Sequence, residues 1–135
     1  MDNSLLANTY VKRILMNDET IVNALTDEVT GTRIYPGDAR AGSKYPFVAI
    51  HRNTVEPQYT KDGCFENNVS VTVFIIDNSY DEGLGIANNI RNKLDLCRYS
   101  DEDIYISRIE LTGAAEYIVD NTYIQELTFN LEISN

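Results

Sequence analysis

The chain has 135 residues, 43% of them hydrophobic, with a formal net charge of −10 and a sequence pI of about 4.4. This length suits a single domain over residues 1–135, with a core that buries about two-thirds of the unfolded surface. The acidic balance argues against a basic stripe for a nucleic-acid backbone, and no apolar run reaches the ~20 residues of a membrane span.

The first thirty residues predict two short helices. Asn3 or Ser4 can cap the first helix, and Asn17 or Asp18 can cap the second. Gly31 then ends the second helix in the manner typical of glycine. Apolar residues at helical spacing predict one buried face on the first helix: Leu5, Leu6, Tyr10, Val11, Ile14 and Leu15.

Two extended segments follow. Phe47–Asn53 alternates in polarity as a strand does, and Phe65–Asp77 alternates over a longer stretch with its apolar residues on one face. Between them, Asp62-Gly63 favours positive φ, which is a strong signal for a hairpin tip. We therefore expect a long, protruding hairpin.

The longest predicted helix begins after this hairpin. Ser79 and Glu82 have the spacing of a capping box. Gly83 and Gly85 lie inside the helix, where each costs about 1 kcal/mol relative to alanine, so we expect its first turn to approach a neighbouring backbone closely. The predicted apolar face, at spacings of three and four, is Tyr80, Leu84, Ala87, Ile90, Leu94 and Cys97.

Two more extended segments close the chain. In Ile104–Thr112 the apolar phase slips, which a bulge between Ile106 and Ile109 would reconcile. Tyr117–Ile133 alternates along its length, with room for a local turn at Asp120-Asn121. The order α-α-β-β-α-β-β favours an α+β fold: an antiparallel sheet of about four main strands, one long helix packed on one face, and a short N-terminal helical pair.

No motif supports catalysis or cofactor binding. His51 is the only histidine and lies mid-strand, away from any triad motif. Asp101-Glu102-Asp103 lacks the ligand spacing of a calcium loop, and Gly83-Leu84-Gly85 has no lysine partner for a phosphate loop. Cys64 and Cys97 are not at a metal-ligand spacing, and without a visible secretory signal we expect reduced thiols. We therefore expect no catalytic, cofactor-binding or metal site.

One segment resembles a known family. Gly31-Thr32-Arg33-Ile34-Tyr35-Pro36, a small-residue loop over 37–44, and Tyr45-Pro46-Phe47-Val48-Ala49-Ile50 follow one another. This order resembles the N-terminal half of the tail-terminator (tail-completion, or minor tail) proteins of long-tailed bacteriophages, prophages and gene transfer agents. The resemblance implies a structural, non-catalytic α+β domain that assembles as a ring, usually of six copies, at the end of the tail tube.

The resemblance also implies partners. Such a ring stops polymerisation of the tube and joins tail to head, so the partners would be further copies of the chain, the tail tube protein and the head–tail connector or neck protein. DNA would pass through the hole without sequence-specific binding, and an acidic lumen would repel it. The implied location is the virion tail, assembled in the bacterial cytoplasm, with no membrane contact.

A head-to-tail ring needs two different patches on each subunit. The protruding hairpin, residues 54–64, and the loop of residues 36–44 are the predicted patches, because both are exposed and dispensable for the core. Tyrosine is enriched in protein interfaces. The predicted interface residues are Tyr35, Asp38, Arg40, Lys44, Tyr45, Gln58, Tyr59, Lys61 and Asp62.

Three alternatives stay open at this point. A neck or head-completion protein of the same particle would share most of these features. A small ligand- or protein-binding α+β module would instead present an apolar pocket with convergent polar groups. An enzyme would have to act through carboxylates alone or through Cys64.

Overall fold

A computed structural model of the chain describes residues 3–37 and 43–134. Its helices are α1 (Ala7–Met16), α2 (Glu19–Ala24) and α3 (Tyr80–Leu94), with a 3₁₀ turn at Ser4–Leu6 before α1. Its strands are β1 (Thr26–Asp27), β2 (Gly31–Thr32), β3 (Ile34–Pro36), β4 (Phe47–Thr60), β5 (Gly63–Asp77), β6 (Tyr99–Ser100), β7 (Tyr105–Val119) and β8 (Thr122–Ser134).

The centre of the fold is a six-stranded mixed sheet in the order β3-β4-β5-β8-β7-β6. The short strands β1 and β2 form a separate antiparallel ladder. Helices α1 and α3 pack on one face of the large sheet, and α2 contacts both helices. Alternate residues of the four long strands enter this single core, among them Val71, Val73, Phe129 and Leu131.

The expected α+β fold with one long helix on about four antiparallel strands is wrong. The structure is 53% strand, and its helices are short. β3 adds a parallel pairing with β4, and β6 adds a further edge strand. Residues 32–35 have an extended sequence pattern, but strands of two or three residues carry no measurable hydrophobic period, so the pattern does not reveal which strands they pair with.

The two long hairpins, β4–β5 and β7–β8, lie where the alternating segments predict strands. The expected bulge is present between Ile106 and Arg108. The local turn at Asp120-Asn121 is a true hairpin turn, with φ of 49° and 60° at its two residues. It divides the predicted segment Tyr117–Ile133 between β7 and β8.

Helix α3 is capped by Ser79 as expected, but of its predicted apolar face only Ala87, Ile90 and Leu94 are buried. The Ser79 side chain accepts a hydrogen bond from the backbone N–H of Glu82. Tyr80 and Leu84 are 39% and 42% exposed, whereas the buried residues are Gly83, Ile86, Ala87, Ile90 and Leu94. Gly83 faces the sheet, where a Cβ would lie only 3.2 Å from the Cβ of Asp77. Glycine therefore permits the helix to pack this closely.

This contact bears out the expected close approach for Gly83, although the neighbour is a side chain. Gly85 has no neighbour within 4 Å of a built Cβ, so close approach does not explain it. The helix ends at Leu94 rather than at Cys97. Cys97 and Cys64 are both partly buried and form no disulfide.

The N-terminal helices depart from expectation at their ends. Leu5 and Leu6 lie in the 3₁₀ turn and are 68% and 51% exposed, so they do not contribute to the buried face. Asp18 caps α2 by accepting from the N–H of Ile21. Gly31 does not end a helix: with φ of 71° it opens β2 instead.

The two hairpin tips point in opposite directions. β5 runs antiparallel to β8, with Glu66 opposite Ser134 at one end and Asp77 opposite Tyr123 at the other. The tip at Lys61-Asp62 therefore lies beyond one end of the sheet, and the tip at Asp120-Asn121 lies at the other end.

Candidate functional site

The predicted interface residues form two groups at the two ends of β4. The first group lies beside the start of the strand and consists of Tyr35, Lys44 and Tyr45; the second lies at its end and consists of Gln58, Tyr59, Lys61 and Asp62. The 14 residues of β4 hold the groups roughly 45 Å apart at ~3.3 Å per residue. Asp38 and Arg40 lie outside the described residues.

At the start of β4, three aromatic rings form a cluster. The Tyr45 ring stacks on Phe47 with centroids 5.8 Å apart, and Tyr35 lies tilted at 6.3 Å from the same ring. The Tyr45 hydroxyl is 3.1 Å from Oγ1 of Thr122, which ties the cluster to β8. This arrangement leaves Tyr45 39% exposed as an amphipathic anchor.

Arg33 joins the two halves of the motif segment, which is the stretch from Gly31 to Ile50 that carries the family resemblance. Its side chain is 5% exposed. Its Nε donates to the carbonyl of Pro46 at 2.7 Å, and its Nη1 donates to Asp27 Oδ2 at 2.9 Å. We call these three residues the arginine lock. They hold the segment before β3 against the residue that precedes β4.

Asp27 is the charged partner in the arginine lock. The backbone N–H of Thr30 donates to its carboxylate and, helped by Lys44 at 3.2 Å, holds the pKa of Asp27 well below its usual range. The carboxylate therefore stays ionised opposite the buried guanidinium. The sequence motif contains Arg33 but assigns it no role. The sequence signal for this contact is an acidic and a basic residue on either side of the turn before Gly31.

The far end of β4 is an edge that resists pairing. No strand of the described residues pairs with its outer side beyond Ile50. A register shift at Asn53 bends this edge, and Pro57 has no N–H to offer on its open side. Bulges and prolines are devices that protect an edge strand from adding another strand.

A second cluster lies between α3 and the β7–β8 hairpin, and sequence reasoning does not find it. Tyr80 Oη donates to Oε2 of Glu116 at 2.8 Å, and Gln125 Nε2 donates to the same oxygen at 2.9 Å. The Tyr123 ring meets Tyr80 edge-on at 5.5 Å. With Tyr117 and Ile118, these residues line a concavity of about 280 Å³, the Glu116 pocket.

The Glu116 pocket holds an ionised carboxylate. The hydrogen bonds from Gln125 and then Tyr80 lower the pKa of Glu116, and the same contact raises the pKa of Tyr80. A carboxylate beside aromatic rings suits a lysine or arginine side chain, which can pair with the charge and lie over the rings. The concavity is smaller than the ~300–1,000 Å³ of small-molecule sites.

Within 3–37 and 43–134, no group of histidine, cysteine, aspartate and glutamate side chains is placed to hold a metal ion. None of the helices in those ranges has the length and apolar character needed to cross a bilayer.

The fold is similar to that of a chain from the virion of a native gene transfer agent particle. The two chains superpose with a TM-score of 0.76 over 93% of this chain and 92% of that chain, at 13% sequence identity. At this identity the likeness shows a shared fold. No family model matches the sequence, and no curated protein matches it.

Proposed function

We propose that this protein is a structural component of a phage-like particle. The observation that carries the proposal is the fold shared, over almost the full length of both chains, with a chain of a gene transfer agent virion. The motif segment from Gly31 to Ile50 independently resembles a family of phage tail proteins. The order of this segment has a physical basis here, since Arg33 binds across it to the carbonyl of Pro46.

Within that class we propose a tail-completion role. The protein would form a ring of about six copies on the end of the tail tube, stop its polymerisation and join the tail to the head or neck. A head-to-tail ring needs two different patches, and the two groups at the ends of β4 are the candidates for them. The role is structural rather than catalytic.

The sheet face opposite the helices is a candidate lumen for DNA. Short side chains cover its centre: Asn53 Nδ2 lies 2.8 Å from Thr72 Oγ1, which lies 3.1 Å from Thr128 Oγ1. Glu126 and Glu132 lie on the same face, because their neighbours along β8 are buried on the helix side. Carboxylates and small hydroxyls would let DNA slide without binding.

Deletion of Gln58–Gly63 tests the ring. The shortened loop can close on the pair Pro57–Asn67, so we expect the variant to fold. Light scattering should give a species of about six copies for the full chain and a monomer for the variant. The matched control is Asn121→Gly at the other tip, which should leave the ring intact. A variant that still forms rings would show that this arm is not an interface.

Electron microscopy with purified tail tubes tests the role itself. We expect the protein to cap tube ends and to shorten tubes that polymerise in its presence. Binding to connector rings but not to tubes would instead assign a neck or head-completion role. Binding to neither would overturn the structural proposal and favour a small binding module.

A further inference from the structure

The outer edge of β7 is open over nearly its second half, from Gly113 to Val119. Its hairpin turn has two residues with positive φ, Asp120 and Asn121, so it closes on the hydrogen-bonded pair Val119–Thr122. Hydrogen-bonded pairs alternate along an antiparallel ladder. The backbone N–H and C=O groups of Ala114, Glu116 and Ile118 therefore point away from β8.

No backbone hydrogen bond from the described residues reaches those six groups. The covered part of the same edge ends just before them. Ile109 exchanges hydrogen bonds with Leu96 and Cys97, and the N–H of Leu111 donates to Asp95 Oδ1 at 3.0 Å. Beyond Leu111, every residue of the strand is exposed.

This open edge lacks the usual protection against strand addition. From Gly113 to Val119 it has no proline and no lysine, and the nearest register shift, between Leu111 and Gly113, lies before it, whereas the edge of β4 contains both a shift and Pro57. Tyr117, Ile118 and Val119 are 41%, 62% and 50% exposed. The edge thus combines unpaired backbone groups with exposed apolar side chains.

Glu116 supplies the chemical selectivity of the edge. It is the middle residue of the three whose backbone groups point outward. Tyr80 and Gln125 both hold its Oε2, which fixes the carboxylate beside the edge. A strand added here would place one of its side chains next to that carboxylate, because side chains on paired strands lie directly opposite one another.

We propose that the open edge of β7, residues 113–119, binds an extended segment of another protein as an added strand, and that a lysine or arginine of that segment pairs with Glu116. Main-chain hydrogen bonds supply affinity in such augmentation, and side-chain pockets supply specificity. The net charge of −10 would also favour approach of a basic segment. The inference does not depend on ring formation.

A second copy of this chain is a poor occupant. The edge of β4 is interrupted at Asn53 and Pro57. β3 is short and ends in Pro36, which has no N–H. Two copies of the β7 edge could pair about a two-fold axis, but the register that uses all three outward residues places Glu116 opposite Glu116. Like charges directly opposite destabilise a sheet.

Titration of the isotope-labelled full chain with two peptides, followed by NMR, tests the proposal. The probes are a blocked Thr-Val-Thr-Lys-Thr-Val-Thr and the same peptide with a central Glu. We expect the amide signals of Ala114, Glu116 and Ile118 to shift with the lysine peptide, which should bind about tenfold more tightly than the glutamate peptide. Glu116→Lys should reverse that preference.

Two further variants separate backbone pairing from charge attraction. Ala114→Pro removes one outward N–H but no hydrogen bond to β8, so it should abolish peptide binding while the chain stays folded. Glu28→Lys makes the charge change of Glu116→Lys at an exposed turn and should leave binding unchanged. The amide spectrum reports the fold of each variant.

Three results would overturn the proposal. Edge amides that do not respond to millimolar lysine peptide would exclude an added strand. Equal affinity for both peptides would remove the role of Glu116. Edge signals that shift with protein concentration alone would make a second copy the occupant. None of these results bears on ring formation, which light scattering measures separately.

Discussion

The two long hairpins are near equals in length but differ in what surrounds them. Their strands have 14 and 15 residues in β4–β5 and 15 and 13 residues in β7–β8. The base of the first is held by the buried arginine lock, and its outer edge is protected. The second has exposed hydrogen bonds to Glu116 near its turn rather than at its base, and its outer edge is open.

This difference shows that pairing alone does not define what a hairpin can do. Both arms satisfy their inner hydrogen bonds in the same way. The first has its base fixed by a desolvated charge, which suits a rigid arm. The second leaves backbone groups and a positioned carboxylate exposed, which suits a docking edge. The predictions that follow test this contrast through the buried contacts of Arg33, the acid dependence of Asp27, and the two hairpin tips.

The largest expected effect is at the base of the first hairpin. Arg33→Met keeps much of the side-chain bulk but leaves the Pro46 carbonyl without this donor and removes the buried guanidinium from Asp27. We expect a loss of about 3 kcal/mol in the free energy of unfolding, typical of a broken buried charge pair, measured by denaturant unfolding. Glu116→Gln is the comparison change in the second hairpin, near its turn, and should cause no measurable loss. Equal losses in the two variants would contradict the contrast.

The next largest expected effect is on how stability depends on pH. The folded pKa of Asp27 is lowered, chiefly by the N–H of Thr30, whereas an unfolded aspartate titrates near ~3.9. Its contribution to stability is therefore present above that value and is lost as the pH falls toward the folded pKa. We expect the stability difference between the wild type and Asp27→Asn to shrink from pH 7 to pH 3 in denaturant unfolding.

Glu116→Gln is again the control in acid. The carboxyl of Glu116 also has a lowered pKa but is solvent-exposed. The stability difference between the wild type and Glu116→Gln should therefore change less over the same range. A difference for Asp27→Asn that is the same at pH 7 and pH 3 would show that the ionised carboxylate does not stabilise the fold.

The smallest effects are at the tips, and they should have opposite signs. Gly63 has φ of 121°, which an alanine adopts only with strain, so Gly63→Ala should cost about 1 kcal/mol. Asn121 has φ of 60° in a two-residue turn, where glycine is favoured, so Asn121→Gly should gain about 0.5 kcal/mol. Denaturant midpoints measure both. Changes of the same sign would mean that the turn geometries are not as described.

Local sequence signals predict the long elements well and their environment poorly. The cap at Ser79, the bulge after Ile106 and the turn at Asp120-Asn121 are determined by residues close in sequence. The burial of α3 is predicted only in its second half, since the first turn packs Gly83 against Asp77 and leaves Tyr80 and Leu84 exposed. The fold class was missed for a related reason: β3 and β6 form because long strands lie beside them.

The candidate sites divide in the same way. Exposure of Tyr59, 72% in the structure, follows from its place in a polar hairpin arm. The arginine lock leaves only a weak sequence signal, an acidic and a basic residue on either side of the turn before Gly31. The Glu116 pocket joins residues distant in sequence, and single-sequence patterns carry no sign of such contacts. Glu116 and Tyr80 are 36 residues apart, and each looks ordinary in its own segment.

The central pairing of β5 with β8 has a consequence for synthesis on the ribosome. β5 is complete at Asp77, but its partner strand begins only at Thr122. Until that strand emerges, the nascent chain holds a finished hairpin with one apolar face and one unpaired edge, a state prone to association. α3 can cover the face early, since it follows β5 directly. The edge must wait for β8, so slow translation between these elements would lower the yield of soluble protein.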